Sequence, residues 1–587
     1  MRAIAVLIRI ACLGCLPLLA LDACGSTQSA SQFPSRDELR KLAERPAVNQ
    51  VQPGNWADVA EWEVTGPLPD VASDAPAPLD GPWNGLLADL AKARPGLLMA
   101  ANAANCTARE LGVFFAAKRA QSAGALQRFV AARCGLTGTL QIAHGYRYQE
   151  TPTAMDERVV FAQWSPLLKD ELQKAVASST GPHLIGIWFG QRDGLAIASW
   201  VVVPRQARVD PIPMVPGADG QVVVHGEVVS RADRIEGLIN RGAYGFRRCE
   251  TDPKVRMPQF TIRCQADPAD VSANVQIAAF DPGRVLGHTI LSLIVWPKGE
   301  LGTRYRRPSL ASSAGAAEVT PSGNVVSELV SLVGQVRAQA GMKALRLSEA
   351  QSGTARRLAP HYFAALAGLE PENIADQVVL GLRAGWEVGA PLRVGQFTYG
   401  AIEGTESTSR LLSEALDAPS GREALLAPDV DHLAVGVIGG PGQGFVGAVF
   451  GTYATFELGD ARSHAEQLYR RLSDLRAQKG LPRAEALPQL AADLSAVIRE
   501  VSMGKWSANQ GLEHALSLAA ERTQAPVRAH FVDALELAQL AIPDELVAAP
   551  SLRIAIAVGQ YQPKGDPWQR HIVYFVAVDR IDVLALR

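Results

Sequence analysis

The residues of this 587-residue chain with most chemistry to offer are its seven cysteines and a short acidic turn. Cys12-Leu13-Gly14-Cys15 has the spacing of a thiol redox pair, and Cys106, Cys134, Cys249 and Cys264 form an even set farther on. Asp429, Asp431 and His432 follow Pro428 closely enough to bind a cation, although a solvated turn is the plainer use of such a cluster. Trp164, Trp188, Trp200, Trp386 and Trp506 could stack on sugar rings if exposed, or else pack in cores. Gly439-Gly440-Pro441-Gly442-Gln443-Gly444 has the composition of a phosphate-cradling loop but no following Lys or helix, so it reads as a turn. Neither a Gly-x-Ser-x-Gly elbow nor a His-Glu-x-x-His string occurs, so no catalytic residue and no cofactor is assigned.

The leading segment decides how the cysteines are read. Arg2 and Arg9 precede or enter a short apolar stretch, Ile10 to Leu21, which ends in Leu21-Asp22-Ala23-Cys24-Gly25. That string resembles a bacterial lipobox, with Asp22 departing from the usual small or apolar residue. The resemblance implies a signal peptide over 1–23, a lipid on Cys24, and a protein of the cell envelope, at the outer membrane, facing away from the cytoplasm. Cleavage without lipidation would release a soluble form, and an uncleaved anchor is a third reading. If the leader is removed, Cys12 and Cys15 go with it. Four cysteines then remain in an oxidising compartment, where two disulfides are expected, and closeness in sequence favours Cys106 with Cys134 and Cys249 with Cys264. Four buried free thiols are the alternative.

Composition narrows the rest. The hydrophobic fraction of 48%, the charged fraction of 20% and the net charge of −2 describe a globular protein with no basic face for nucleic acid. Later apolar runs such as Leu184 to Phe189 and Ile290 to Trp296 fall well short of the ~20 residues of a membrane-spanning helix.

Several elements must position these residues. Residues 24–83 read as a lipidated tether, a short helix opened by the capping box Ser35 to Glu38, and a Pro- and Asp-rich linker or extended arm, Val64 to Pro82. From about 84 to 205, helical spacing (Leu111, Phe114, Phe115; Leu126, Phe129, Val130) gives way to two apolar runs around Gln191-Arg192-Asp193-Gly194, a hairpin. Residues 206–305 alternate short strands with Pro, Gly and Asp breaks, and are expected to form a small β-sandwich or barrel. A linker covers 306–323. Internal repetition then organises the chain. Thr107-Ala108-Arg109-Glu110-Leu111-Gly112 is echoed by Thr354-Ala355-Arg356-Arg357-Leu358-Ala359, and Arg337-Ala338-Gln339-Ala340-Gly341 by Arg476-Ala477-Gln478-Lys479-Gly480. Ala390-Pro391-Leu392-Arg393 pairs with Ala525-Pro526-Val527-Arg528, and Leu433-Ala434-Val435-Gly436 with Ile556-Ala557-Val558-Gly559. Three related units over 84–205, 324–457 and 458–587 are expected, against chance similarity among Ala-rich helices.

Arg337-Ala338-Gln339-Ala340-Gly341, His361, Pro419-Ser420-Gly421-Arg422 and Ala434-Val435-Gly436-Val437 stand in the order found in the CAP superfamily, the cysteine-rich secretory and pathogenesis-related proteins, which the middle unit resembles. The resemblance implies a multidomain α+β protein of repeated α/β/α sandwich units plus one small all-β sandwich. It also implies a cleft of two His and two acidic residues able to hold a divalent metal. His361 stands for the first His, and Glu372 lies in a Glu-Asn-Ile string, though close behind it. The second His is replaced by Gly421, with His432 nearby. Phe114 takes the place of His361 in the first unit, and no counterpart aligns in the last. With so little of the ligand set kept, the expected function is a non-enzymatic envelope lipoprotein whose CAP-like units and β domain bind an envelope protein, glycan or lipid. The rival is a divalent-metal-dependent hydrolase with its site in the second unit; a third reading is a structural spacer.

Overall fold

The computed structural model describes residues 33–47, 55–78, 81–138, 143–151, 153–177, 181–282, 284–310, 324–403, 407–439, 445–456 and 459–578. The leader, Cys24, the polar tether, most of the 306–323 linker and Gly440 to Gly444 lie outside them. The chain divides into two compact units: one joins Pro34–Arg383 to Gln396–Thr452, the other joins Ala384–Gly395 to the residues from Tyr453 on.

Three sheets of four strands share one strand order. The first contains Leu98–Ala100, Ala143–Glu150, His183–Arg192 and Leu195–Pro204; the second Arg346–Leu347, Leu392–Glu403, His432–Gly439 and Phe445–Thr455; the third Glu485–Ala486, Val527–Ala534, Arg553–Tyr561 and Arg570–Val578. In each, counted along the chain, the strands lie side by side as first, third, fourth, second. The very short first strand runs parallel to the third, which requires a crossover through helices. The third and fourth strands form a hairpin. In the first sheet its turn is Asp193-Gly194, both at positive φ (51° and 74°), the geometry that lets two residues reverse a twisted pair.

Helices cover both faces of the sheets because strand residues alternate sides. In the first repeat, Ile185, Ile187, Ala196 and Ala198 meet the helices Gly81–Ala93 and Glu157–Ala177, whereas Leu184, Val201 and Val203 meet Asn102–Lys118 and Gly124–Arg133. In the last, Ile554, Ile556 and Phe575 pack with Leu468 and Leu472, and Ala555, Ala557 and Tyr574 with Leu494 and Ile498. Both flanks of the hairpin strands are therefore apolar, which explains their continuous hydrophobic runs.

The Arg-Ala-x-x-Gly strings close equivalent helices. Arg337 ends the helix Val325–Gln339; it is buried, and donates from Nε to the Lys343 carbonyl (2.7 Å) and from Nη1 to those of Leu425 (2.7 Å) and Ala427 (3.1 Å). Arg476, near the end of Ala461–Gln478, donates from Nε to the Pro482 carbonyl (3.0 Å) and from Nη1 to Leu546 (2.9 Å). Gly341 and Gly480 follow at φ 74° and 70°, a left-handed position where a side chain would be strained. Burial pushes the pKa of both guanidiniums down from the ordinary value, a penalty that the carbonyl dipoles around them offset.

The short first strand leaves amides of the third strand unpaired beyond its end. In the first repeat Ile187 donates its N–H to Asn105 Oδ1 (2.9 Å), and in the middle one Val435 donates to Ser352 Oγ (3.1 Å). Asn105 and Ser352 are each the fourth residue of the second helix of their repeat. The strand registers also revise one sequence pairing. Leu347 pairs with Leu433 and Ala486 with Ile554, so Leu433 corresponds to Ile554 rather than Ile556. A slip of two residues keeps every side chain on its own face, so the hydrophobic pattern does not betray it.

Between the first and middle repeats, two four-stranded sheets face each other. One contributes Val222, Val224, Phe260 and Ile262 to a shared core, the other Ile235, Ile239, Val275, Ile277, Leu291 and Leu293. The strand Arg234–Arg241 is poorly marked in the sequence, because its charged ends and central Gly237 dilute the pattern. A Cβ at Gly237 would sit 3.0 Å from Cys249 Cβ and 3.1 Å from Ile262 Cγ2, so the glycine permits this close approach. Arg304 and Tyr305, expected inside this domain, and Arg306, expected in the linker, instead pair with Glu61–Glu63 of the N-terminal arm. That arm is not wholly on the surface: Val64 and Ala72 are buried.

Both disulfides join the cysteines that sequence proximity favoured. Cys106 on helix Asn102–Lys118 bonds Cys134 at the end of the next helix, with Cα atoms 5.6 Å apart. Cys249, where the chain passes from one sheet of the sandwich to the other, bonds Cys264 (Cα–Cα 4.4 Å).

Candidate functional site

His361 lies on the second helix of the middle repeat, Glu349–Leu366, and is 1% exposed. Its Nδ1 lies 2.9 Å from Glu370 Oε1 and its Nε2 lies 3.0 Å from the carbonyl oxygen of Arg45. The other Glu370 oxygen accepts from Arg45 Nη2 at 2.6 Å. Arg45 caps the helix Arg36–Glu44, which opens with the expected capping box of Ser35 and Glu38. The imidazole thus ties that N-terminal helix to the repeat, and a metal could reach either nitrogen only by displacing the oxygen bonded to it.

The other two candidates do not join it. Glu372 is exposed at the start of the helix Glu372–Ala384. His432 opens a strand, and its Nδ1 is 2.8 Å from Asp431 Oδ1, while Asp431 also faces Arg346 at 3.6 Å. Among the described residues, no three His, Cys, Asp or Glu side chains are grouped to hold a metal ion. Four of the five candidate tryptophans pack against neighbouring groups, and Trp386 is half-buried. Trp164 and Trp200 are buried, the latter donating from Nε1 to Glu171 (3.3 Å), and Trp188 lies over Gly112, where a Cβ would meet its ring at 2.8 Å. Trp506 stacks on His514 with ring centroids 4.1 Å apart. Gly439 takes φ 77° at the end of a strand, as a turn glycine does; the rest of that loop is outside the described residues.

Two histidines that sequence reasoning did not single out meet in the last repeat. His464 sits in the first turn of helix Ala461–Gln478, whose N-cap Asp460 accepts from the N–H groups of Arg462 and Ser463. His571 sits near the start of strand Arg570–Val578, paired with Gln560 on one side and Ala534 on the other. Their rings stand nearly perpendicular (88°) with centroids 5.5 Å apart, and Phe456 packs 4.6 Å from His571. Both line a surface pocket of about 260 Å³, together with Gly459, Ser502 and Gln560. Gly459 makes room for the ring: a Cβ there would fall 2.1 Å from His464 Cε1. His571 is 9% exposed, and its Nδ1 is enclosed without a hydrogen-bond partner among the described residues. Burial, reinforced by the nearby positive charge of His464 and Arg393, pushes its pKa down to about 4. The ring is therefore neutral at neutral pH.

No protein-family profile matches the chain. No curated protein matches it either. Among solved structures, a cysteine-rich secretory protein from Staphylococcus aureus subsp. aureus Mu50 is similar at 12% identity, over 42% of this chain and 86% of that one, with a TM-score of 0.17. A superposition of that quality carries no argument about fold or function.

The missed pair shows the limit of motif reading. His464 and His571 are brought together by the strand order of the last sheet, which places the fourth strand centrally beside the third. A faint signal existed in Gly459-Asp460 ahead of a helix and in a histidine opening an otherwise apolar strand.

Proposed function

We propose that the chain is a non-enzymatic lipoprotein of the bacterial cell envelope, tethered through Cys24, whose repeats are degenerate CAP-like units that, with the β-sandwich, bind an envelope protein, a glycan or a lipid. One observation carries the reading: His361, the imidazole that the resemblance makes the first ligand, is buried with both nitrogens engaged. A hydrolase needs that group free to bind a metal or move a proton. Two disulfides support an oxidising compartment, and the shared strand order supports descent of the three sheets from one unit.

The test uses the native protein from detergent-solubilised envelopes. Intact mass is expected to show a chain beginning at an acylated Cys24, and cross-linking followed by glycan and lipid binding assays is expected to find one class of ligand. A cytosolic chain that begins at Met1 with reduced thiols would remove the location. Metal-dependent hydrolysis abolished by His361→Ala would replace the binding function with the hydrolase.

A further inference from the structure

We propose that His464 and His571 form a two-imidazole site for a borderline divalent transition-metal ion, of the zinc or copper class, in the pocket of the last repeat.

The geometry is the first argument. A metal bound about 2.0 Å from a ring nitrogen lies about 3.2 Å from the ring centroid, so two imidazoles on one ion at a tetrahedral angle have centroids about 5.2 Å apart. The observed separation is 5.5 Å, with the rings perpendicular. The second argument is the state of the ligands. Neither imidazole has a side-chain hydrogen bond among the described residues, and His571, nine-tenths buried against the pocket, holds an enclosed nitrogen with no partner. A buried polar group without a partner is costly in a structural role, and imidazole is the commonest side-chain ligand for these metals.

Donor chemistry selects the ion. Among the described residues no carboxylate lines the pocket, and Asp460 beside it turns its two oxygens to Arg462 and Ser463 (3.1 and 3.2 Å). Calcium and magnesium, which need several oxygen ligands, are therefore disfavoured, whereas imidazole suits zinc, copper and nickel. The pocket of about 260 Å³ leaves room for water or an outside donor to complete the coordination sphere. Gly459 fits the same account, since any side chain there would displace the His464 ring.

Metal-stripped full-length protein titrated with Cu(II) is expected to bind one equivalent, with an electron paramagnetic resonance spectrum showing coupling to imidazole nitrogens. Zn(II) is expected to compete for that equivalent and to raise the melting temperature. His464→Ala removes a partly exposed side chain from a helix end, so it should fold; it is expected to weaken binding at least tenfold and to abolish the thermal shift. Gly459→Val should do the same by moving the ring, while His514→Ala, outside the pocket, should change nothing. Undiminished binding in His464→Ala, or no saturable equivalent in the unaltered protein, overturns the proposal.

Discussion

Arg337 in the middle repeat and Arg476 in the last occupy the same place at the end of the same helix, and both donate from Nε to the carbonyl six residues on. The histidines of these two repeats are treated oppositely. His361 is held at both nitrogens, by Glu370 and by the Arg45 carbonyl, whereas His571 is nearly as buried and holds an enclosed nitrogen with no partner among the described residues. The contrast teaches that the repeats share what closes the fold and differ in what could bind. An arginine that stitches a helix end to a distant loop is required in either copy, because the carbonyls it serves exist in both. A histidine is kept only by its local surroundings, and in the middle repeat those surroundings supply two oxygens.

The largest expected effect tests the shared part. Arg337→Ala leaves three carbonyls without their donor and a cavity besides; a loss of about 4 kcal/mol in chemical denaturation is expected. Arg476→Ala frees two carbonyls and should cost about 3 kcal/mol. Each loss should appear in the compact unit that contains the altered arginine. If either substitution were neutral, the equivalence of the two helix ends would fail as an account of the repeat.

The disulfides come next, and they separate the first repeat from the sandwich. Cys106–Cys134 spans 28 residues and Cys249–Cys264 spans 15, so their removal as paired Cys→Ser variants should cost about 3.5 and about 3 kcal/mol. Peptide mapping without reduction should recover both linked pairs from the native protein. Free thiols at all four positions would remove the support that the bridges give to an oxidising compartment.

How much of this could be read beforehand depends on whether the signal was local. The Asp193-Gly194 turn, the capping box at Ser35 and both cysteine pairings involve neighbours in sequence, and each was legible. The repeat was legible too, since amphipathic helices and apolar hairpins recur in order, but its register slipped by two residues at Leu433, where a strand looks the same after such a slip. Strand Arg234–Arg241 was hidden by Gly237, whose reason lies in the contact with Cys249. Glu370, the partner of His361, was passed over for Glu372 because the family string drew attention to the exposed acid rather than the buried one. The pocket of the last repeat left only a faint trace in the sequence because its two imidazoles meet only once the sheet is assembled.

A middle-sized effect sharpens the contrast between the histidines. His361→Ala leaves one oxygen of the buried Glu370 carboxylate without its partner and releases the Arg45 carbonyl, for a loss of about 2 to 3 kcal/mol. Hydrogen exchange should quicken first in the helix Arg36–Glu44, which the ring ties down. His361→Phe copies the residue that the first repeat carries as Phe114 in this place, yet it should be nearly as damaging, because Phe114 packs edge-on against Trp62 with no carboxylate to satisfy. Protection of Arg36–Glu44 unchanged in both variants would show that the network does not hold that helix.

The smallest effect compares the first and middle repeats. Asn105 and Ser352 each accept one strand amide that the short first strand cannot reach, so Asn105→Ala and Ser352→Ala should each cost about 1 kcal/mol. The two losses need not be equal. A replacement hydroxyl does not serve at Asn105, since its Nδ2 donates a second bond to Asn84 Oδ1 at 3.2 Å, which Asn105→Ser would forfeit. Ser352→Asn should be worse than Ser352→Ala despite keeping an acceptor: the serine is buried beside Ala355, and a larger amide there would push the helix off the strand. Denaturation midpoints for the four variants therefore order the two repeats by how well helix and strand tolerate disturbance where they meet, at Gly186 against the backbone of Ala104 and at Gly436 against that of Ala355.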